Sequence, residues 1–284
     1  MLEKGRFLYF AGCMRKGDEK IMKRNLSIAV FDSGLGGMSL LAELIQLLPN
    51  ENFLYFGDTA NAPYGTKSAE EVRSLTVKNF EYLLSKDIKA FVMGCNTATS
   101  VTAAYLRETY KDIPIIGIEP AVKPAALSGG YPTVAVLATP LTLKGEKFAD
   151  MLKKYSDNAR IIPFPCPGLV EFVERGVLEG EELDAFLSEL LAPLKDEDID
   201  CAVLGCTHYP LVKGAIIKAL GKDVRLFDGG LGTARQTARR LEESGLLSDS
   251  AERGRIDIID SSYPDRINPE GSFLVKFFKE YICN

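Results

Sequence analysis

The chain has 284 residues, of which 46% are hydrophobic and 26% are charged, as in an average soluble globular protein. A chain of this length forms one large domain or two of ordinary size around a buried core. The formal net charge of −5 leaves no basic excess and the sequence has no dense basic stripe, so no nucleic-acid partner is expected. No apolar run reaches the roughly 18 residues of a membrane helix, so no membrane association is expected.

The single histidine excludes metal sites built from several histidines and any mechanism that needs two imidazoles. The cysteines stand at positions 13, 95, 166, 201, 206 and 283 and form no CxxC pair, which argues against a zinc ribbon or a thioredoxin-type site. Six cysteines in a chain of this length are typical of reduced cytosolic thiols rather than of a disulfide scaffold. Each cysteine is first interpreted as a small buried hydrophobic residue.

The first 25 residues are predicted to be an N-terminal extension. Phe10-Ala11-Gly12-Cys13 resembles a lipoprotein cleavage site, but only about four apolar residues precede Ala11, fewer than the 7–15 of a secretory signal core. Export is therefore not expected. The extension is either a disordered tail or the product of an upstream start codon, since Met22 stands just before the first predicted strand.

From Leu26 onward, short apolar segments alternate with longer amphipathic segments. The first part of the chain is predicted to contain strands at 27–31, 53–56, 90–93 and 113–118, and helices at 38–48 and 68–85. Ser68 with Glu71 three residues later forms a capping box, which predicts the start of the second helix. Strands that are apolar throughout and separated by helices indicate a parallel sheet covered on both faces.

The second part of the chain repeats this order of strands. Segments 133–137, 161–164, 199–206 and 224–227 match the four earlier strands at nearly constant spacing. The predicted fold class is α/β, with two pseudo-symmetric lobes, each a mainly parallel sheet flanked by helices, and an active site in the cleft between them. The first lobe is predicted to contain 26–119 plus 229–284, including a last strand at 256–260, and the second lobe 120–228.

The repeat gives two of the cysteines equivalent positions. Cys95 and Cys206 each follow a predicted strand and a glycine. Because ligands of open parallel sheets bind at the carboxyl ends of the strands, each lobe places one thiol at its functional edge. The two thiols are therefore expected to face a shared cleft from opposite sides. The other cysteines keep the interpretation of small buried residues, with Cys201 in mid-strand and Cys283 in the tail.

Two opposed thiols suit proton transfer at a carbon atom. One thiolate removes a proton while the other thiol supplies one to the opposite face, which inverts the configuration. A free thiol has a pKa of about 8.5, so the base needs activation by its surroundings. Beside the thiols, Asn96, Thr97 and Thr207 offer short polar groups and helix-start N–H groups that suit a carboxylate-bearing substrate. Asp32 could bind an ammonium group or orient a thiol, and Ser33 can donate to a carboxylate.

Three features have alternative interpretations. Gly34-Leu35-Gly36-Gly37 resembles a dinucleotide fingerprint, but Ser39 stands where GxGxxG needs its last glycine, so we prefer a tight turn that lets the next helix approach a substrate. A lone histidine is more often structural, and its position two residues after Cys206 favours a functional role for His208. Tyr64, between Pro63 and Gly65, is on sequence alone an ordinary turn residue.

A family resemblance rests on stretches that run in order from residue 26 to about 235. The chain resembles the glutamate racemases, cofactor-independent enzymes of the aspartate/glutamate racemase superfamily. The matching stretches are IAVFDSGLGGMSLL (28–41), FGDTANAPYG (56–65), GCNTATS (94–100), GIEPAVKPA (117–125), CPGLVEFVERG (166–176) and GCTHYPLV (205–212). Glu171 departs from the family pattern, in which many members have proline, and this affects only the expected shape of the local loop.

The resemblance implies that Cys95 and Cys206 are the catalytic acid/base residues, each serving one enantiomer of glutamate. It implies that Asp32, Glu174 and His208 assist the thiols. The implied substrate contacts are Asp32, Ser33, Tyr64, Gly65, Asn96, Thr97, Thr207 and His208. It also implies that neither pyridoxal phosphate nor metal is used, and that a cytoplasmic enzyme supplies D-glutamate for peptidoglycan. Since family members often form dimers, a homodimer is expected.

Other functions stay open on the sequence. An aspartate racemase or another racemase of the superfamily is one alternative, although the histidine of GCTHYP favours glutamate. Cys206 with His208 could form a thiol hydrolase dyad, but neighbours two residues apart at a strand end need not touch, and Cys95 would then have no role. A non-catalytic two-lobed binding protein is supported only by the duplicated architecture.

Overall fold

A computed structural model describes residues 23–221 and 223–283, so the predicted N-terminal extension up to residue 22, with Cys13, lies outside the described residues. The strands are β1 (Ser27–Asp32), β2 (Phe53–Gly57), β3 (Ile88–Met93), β4 (Ile115–Gly117), β5 (Thr133–Ala138), β6 (Arg160–Pro165), β7 (Cys201–Leu204), β8 (Arg225–Asp228) and β9 (Ile256–Asp260). The α-helices are α1 (Met38–Leu47), α2 (Ala69–Leu84), α3 (Asn96–Thr109), α4 (Val122–Ala126), α5 (Pro140–Leu143), α6 (Glu146–Tyr155), α7 (Leu169–Glu174), α8 (Glu181–Leu190), α9 (Lys213–Leu220), α10 (Gly230–Ser244) and α11 (Phe273–Phe277). Short 3₁₀ segments lie at Thr59–Asn61, Tyr64–Thr66, Ala192–Leu194 and Tyr209–Val212, and a π-helical segment at Phe278–Ile282.

The strands of the described ranges form two parallel sheets with matching strand order. The first sheet has the order β4-β3-β1-β2-β9, and the second, read in the same direction, has β8-β7-β5-β6. Every strand pair in both sheets is parallel. Apart from the added β9, each strand has its counterpart in the other sheet. The predicted α/β fold of two similar lobes is confirmed, and "first lobe" and "second lobe" below mean the first and second sheets with the helices packed on them.

Most predicted elements are present, with differences at their ends. β4 is shorter than predicted, because Ile113 and Pro114 precede the paired residues and only the Pro114 carbonyl, which accepts from the Phe91 N–H at 2.9 Å, joins the sheet. Cys201, predicted in mid-strand, is the first residue of β7. The capping box forms only in part: the Ser68 hydroxyl accepts from the Glu71 N–H, while the Glu71 carboxylate pairs with Lys67.

The strands β1, β2, β5 and β7 are apolar on both sides because both faces of the sheets are covered there. Successive side chains of a strand point to opposite faces. Ile28 and Val30 of β1 accordingly belong to one buried cluster, and Ala29 and Phe31 belong to another. The first of these clusters also contains Leu137 of β5 and residues of α7 to α9, so it continues from the first lobe into the second. One hydrophobic core therefore joins the two lobes.

Each sheet contains a topological switch point. β1 lies between β2 and β3, so the connections that leave β1 and β3 run in opposite directions, and the same holds for β5 and β7. In open α/β sheets, ligands bind in the crevice at the carboxyl ends of two such strands. These ends carry Asp32 and Cys95 in the first lobe, and Thr139 and Cys206 in the second lobe.

Candidate active site

The two cysteines are anchored in equivalent ways by the glycines that precede them. The Gly94 N–H donates to the Phe31 carbonyl at 2.7 Å, and the Gly205 N–H donates to the Leu137 carbonyl at 2.7 Å. A Cβ atom added to Gly94 would lie 3.2 Å from the Phe31 carbonyl oxygen, and one added to Gly205 would lie 2.9 Å from the Leu137 carbonyl oxygen. Both positions therefore need glycine for the same reason, which is the close approach of the neighbouring strand.

Cys95 follows β3 and caps the N-terminus of α3. The Cys95 Sγ accepts from the Ala98 N–H at 3.4 Å, and Cys95 is 5% exposed. Burial, with a further contribution from the charge of Asp32, raises the pKa of Cys95 to about 12, although hydrogen bonds from Ser33 and Ala98 act in the opposite direction. A charge on Cys206 also raises the pKa of Cys95, so the two thiols of the two lobes are close enough to interact.

Cys206 follows β7 and contacts an imidazole. Its Sγ lies 3.6 Å from His208 Nδ1, and His208 Nε2 lies 2.5 Å from Glu174 Oε1. Burial alone would lower the pKa of His208, but the hydrogen bonds and charges of Cys206 and Glu174 outweigh it, and the net pKa is raised well above its ordinary value. The raised pKa favours an imidazolium between a sulfur atom and a carboxylate. The sequence left open whether Cys206 and His208 touch, and the turn after β7 places them in contact.

Asp32 ends β1 and is completely buried between the lobes. Its Oδ1 accepts from the Gly34 N–H at 2.9 Å, and its Oδ2 accepts from the Thr207 hydroxyl at 3.0 Å. Burial raises the pKa of Asp32, while the charge of His208 and these hydrogen bonds lower it in part. The carboxyl group is thus linked to both thiol environments, by its charge to Cys95 and by Thr207 to the loop of Cys206.

The glycine-rich turn after β1 contacts the second lobe. A Cβ atom added to Gly34 would lie 2.0 Å from Glu174 Oε1, and one added to Gly36 would lie 2.3 Å from His208 Nδ1. The Leu35 N–H donates to Glu174 Oε1 at 2.8 Å. The turn is therefore glycine-rich because the side chains that support Cys206 pack directly on its backbone.

The predicted polar residues around Cys95 lie on the seam between the lobes. Thr97 Oγ1 is 2.9 Å from Thr139 Oγ1, and both atoms are close to Thr142 Oγ1, so three hydroxyl groups from two lobes form one cluster. Asn96 is 5% exposed, and its side-chain oxygen has no hydrogen-bond partner within the described chain. Gly65 packs against Thr139, since an added Cβ would lie 2.9 Å from Thr139 Cγ2.

The structure adds residues that were not predicted from the sequence. Asp58, Asn79, Thr139, Thr142, Ser39 and Tyr55 make buried or partly buried hydrogen bonds next to the predicted residues. A role for Thr139 could have been predicted from the sequence, since it follows β5 as Ser33 follows β1. The same is true of Asp58, which follows β2 at the same edge of the sheet. A role for Asn79 could not have been predicted, because it lies inside a helix whose pattern predicts only packing.

Comparison with known proteins places this chain in a family. The family model for Asp/Glu/Hydantoin racemase matches residues 36–237. The chain belongs to this family. A glutamate racemase from Clostridium botulinum is 49% identical to the chain over 245 residues, which cover 86% of this chain and 95% of that protein.

Two solved structures of family members resemble the fold closely. A glutamate racemase from Francisella tularensis in complex with D-glutamate has a TM-score of 0.75 and 32% identity, over 89% of this chain and 94% of that chain. The Escherichia coli glutamate racemase in complex with L-glutamate and the activator UDP-MurNAc-ala has a TM-score of 0.72 and 32% identity, over 82% and 89% of the two chains. The protein is therefore an isomerase of the racemase family. None of the helices in the described ranges is long and apolar enough to cross a membrane.

Proposed function

We propose that the protein is a glutamate racemase that interconverts L- and D-glutamate with two cysteines and no cofactor. The observation that carries the proposal is the equivalent placement of Cys95 and Cys206, one on each sheet, at the carboxyl ends of paired strands and within electrostatic reach of each other. Several similar proteins are named glutamate racemases, and solved neighbours hold D- or L-glutamate. This similarity favours glutamate over aspartate as the substrate.

The proposed reaction is a proton exchange at Cα. The thiolate of one cysteine takes the Cα proton, and the electron pair remains on Cα and the adjoining carboxylate. The thiol of the other cysteine gives its proton to the opposite face of the same carbon. The configuration is inverted, the first sulfur ends as a thiol and the second as a thiolate, and the two cysteines exchange roles for the other enantiomer.

The neighbours of each thiol support this division of roles. His208, held between Cys206 and Glu174, is placed to compensate negative charge on the Cys206 sulfur. The charge of Asp32 acts on Cys95, whose pKa is raised to about 12 by burial and, in part, by this carboxylate. In our proposal His208 and Glu174 therefore assist Cys206, and Asp32 assists Cys95.

The proposed substrate contacts surround the two thiols. Asp32 is the only candidate carboxylate for the substrate ammonium group among the predicted contacts, and the hydroxyl, amide and imidazole groups of the others suit its carboxylates. These residues are Ser33, Asn96, Thr97, Thr207 and His208, with the loop at Tyr64 and Gly65. The side-chain oxygen of Asn96, which has no hydrogen-bond partner among the described residues, supports a ligand on that side, since buried polar groups are rarely left without a partner.

The lobes must separate for the substrate to enter. Cys95 and Cys206 are 5% and 7% exposed, so an amino acid reaches them only through a wider cleft. We propose lobes of 26–119 plus 229–284 and of 120–228, and the pairing of β9 with β2 supports the return of the chain to the first lobe. Two chain crossings then form a hinge. We further propose a cytoplasmic homodimer that supplies D-glutamate for peptidoglycan, and light scattering of the purified protein tests the dimer.

The test is exchange of the Cα proton with solvent deuterium during turnover of D- and of L-glutamate. The wild type is expected to racemise both enantiomers with deuterium incorporation and without added cofactor. Serine at Cys95 or at Cys206 is expected to abolish racemisation, because the hydroxyl is a far weaker acid than the thiol. Cys283→Ser is the matched control, since Cys283 is exposed and far from the strand ends in sequence. Undiminished racemisation by either active-site variant would contradict the proposal.

One contact favours a second candidate function. The 3.6 Å approach of Cys206 Sγ to His208 Nδ1 is the geometry of a nucleophile and its base, as in a thiol hydrolase. A burst of acyl-enzyme with an ester substrate, retained in Cys95→Ser and lost in Cys206→Ser, would support a hydrolase. The equivalent thiol on the other lobe has no role in that reaction, so racemisation is the better supported function.

A further inference from the structure

A buried carboxyl group lies behind the loop that contains Tyr64 and Gly65. Asp58 follows β2 and is 1% exposed. Its Oδ2 accepts from the Tyr64 hydroxyl at 2.6 Å and from Asn79 Nδ2 at 2.8 Å, and its Oδ1 accepts from Asn61 Nδ2 at 2.9 Å. The Asp58 N–H donates to the Asp32 carbonyl at 3.0 Å. Asp58 thus ties a loop, a helix and the end of β1 together.

These contacts occupy the hydroxyl group of Tyr64. A phenol has one O–H to donate, and Tyr64 uses it in the hydrogen bond to Asp58, while Asn79 Nδ2 lies 3.3 Å from the same oxygen. Burial and the charge of Asp58 raise the pKa of Tyr64, so the proton stays on the phenol. The Tyr64 ring packs against Phe31, with ring centroids 6.2 Å apart, directly before Asp32. The side chain of Tyr64 therefore points into the first lobe and is fixed there.

Gly65 lies at the seam between the lobes, against Thr139 of the second lobe. An added Cβ at this position would lie 2.9 Å and 3.0 Å from Cγ2 and Cβ of Thr139. Thr139 is hydrogen-bonded in turn to Thr97, two residues after Cys95. The backbone at Gly65 thus borders the seam through Thr139 and Thr97, while the Tyr64 hydroxyl is bonded to Asp58 within the first lobe.

We infer that Asp58 and Asn79 are positioning residues for substrate binding, which hold Tyr64 so that the backbone at Gly65 is presented to the substrate carboxylate. The inference rests on the proposed function, because it assumes that the loop contacts glutamate. Asp58 and Asn79 act through Tyr64 and do not touch the reacting atoms.

The energetics of the network favour a positioning role over simple packing. Asn79 lies on the buried face of α2 with Val72, Thr76, Phe80 and Leu83. A buried amide and a buried carboxyl group are unfavourable unless they are fully hydrogen-bonded, and apolar residues of similar size would fill the same space. What the polar network adds is a single orientation of Tyr64, since each donor and acceptor fits in one arrangement.

The experiment is steady-state racemisation of D- and L-glutamate by the wild type, Tyr64→Phe and Asp58→Asn, with thermal unfolding measured in parallel. Loss of positioning is expected to raise KM about tenfold with kcat changed by less than about threefold, because binding of ground state and transition state weakens equally. Tyr110→Phe is the matched control, since its hydroxyl donates to the Glu81 carboxylate at 2.9 Å on the exposed surface of the same lobe. It is expected to leave KM and kcat unchanged.

Several outcomes overturn the inference. A fall in kcat with constant KM would place the group in the chemical step, and a lower melting temperature with constant KM and kcat would make the network structural. The double variant Asp58→Asn with Tyr64→Phe is expected to raise KM no further than either single variant, so additive effects would also contradict a shared role. A wild type that fails to racemise glutamate would overturn the proposed function itself, whereas normal wild-type turnover with unchanged KM in both variants overturns this inference alone.

Discussion

At the scale of single residues, Cys95 and Cys206 share a position but not an environment. Cys95 lies near a carboxylate and a helix N-terminus, and Cys206 lies beside an imidazole that is itself paired with Glu174. Negative charge is therefore disfavoured at Cys95 by Asp32 and compensated at Cys206 by His208. Two thiols with unequal surroundings suit a reaction in which one begins as acid and the other as base.

The raised pKa of Cys95 predicts a pH dependence of stability. In the unfolded chain this thiol loses its proton above about pH 9, but in the folded protein it keeps it up to about pH 12. The protonated thiol stabilises the fold fully below about pH 9. This stabilisation is lost as the pH rises from about 9 to about 12, at about 1.4 kcal/mol for each pH unit. Urea unfolding at about pH 8 and about pH 10 is expected to reveal a steeper loss in the wild type than in Cys95→Ser, whose hydroxyl does not titrate. Parallel losses in the two proteins would refute this assignment.

The glycine at position 36 predicts a loss of activity on substitution. An alanine Cβ there would lie 2.3 Å from His208 Nδ1, so the imidazole must move away from Cys206. The expected result for Gly36→Ala is a fall in kcat/KM of about 10- to 100-fold, since a hydrogen bond to a charged group contributes roughly 1.5–3 kcal/mol. Gly232→Ala is the control, because an added Cβ at that helical position meets none of the described residues within 4 Å. Full activity of Gly36→Ala in the racemisation assay would mean that the contact of His208 with Cys206 is not needed.

At the scale of elements, the ends of helices and strands carry most of the site. Cys95 caps α3, Thr139 caps α5, and Asp32 and Asp58 stand at or just after the ends of β1 and β2. Parallel strands place their carboxyl ends at one edge of a sheet, so residues far apart in the chain are gathered there. Local interactions within a helix or strand stabilise that element, and some of them can be removed without changing the catalytic groups.

Helix α2 offers a local test of this separation. The Ser68 hydroxyl accepts from the Glu71 N–H at 3.2 Å, and removing an N-cap typically costs about 1 kcal/mol. Ser68→Ala is expected to lower the free energy of unfolding by about 0.5–1 kcal/mol, with racemase activity unchanged. Ser74→Ala, in the interior of the same helix, is expected to be neutral or slightly stabilising because alanine has the higher helix propensity. Equal urea midpoints for the two variants would show that the cap contributes nothing.

At the scale of the whole molecule, contacts between distant segments hold the lobes and the chain ends in place. A hydrophobic cluster continues between the lobes, and hydrogen bonds cross the seam from Leu35 to Glu174 and from Thr207 to Asp32. On the side of the first sheet away from the site, Lys89 pairs with Glu51 and donates to the Arg24 carbonyl at 2.5 Å, and Glu51 accepts from the Ser248 N–H at 2.8 Å. This buried group links the start of the described chain to its C-terminal part.

The buried ion pair predicts a large and recoverable loss of stability. Lys89→Met would leave the Glu51 carboxylate buried without its cation, which is expected to lower the free energy of unfolding by about 3–5 kcal/mol. The double variant Lys89→Met with Glu51→Leu is expected to recover most of this loss, because the unpaired charge is removed. Urea unfolding of the three proteins measures both effects. A double variant as unstable as Lys89→Met would mean that the hydrogen bonds to Arg24 and Ser248, rather than the charge, dominate.

Much of the fold could be predicted from the sequence because the signals are local. Continuous apolar strands between amphipathic helices predicted parallel sheets, and the repeated order of strands predicted two lobes of one design, which the structure confirms. The same repeat singled out Cys95 and Cys206, since position after a strand is a property of neighbouring residues. The strand β9 was also predicted at 256–260, where it is found.

Only the tertiary structure decided which side chains meet across the seam. The contact of His208 with Glu174, the packing of Gly36 on His208 and the hydroxyl cluster of Thr97 with Thr139 and Thr142 all join segments that no local pattern connects. Nor did any pattern indicate that Asn79, inside a helix, would bind Asp58. The sequence by itself determined the strands, their order and the two thiols, because periodicity and strand ends are local. The environment of each thiol depends on how the two lobes close on each other, and that is a property of the folded chain alone.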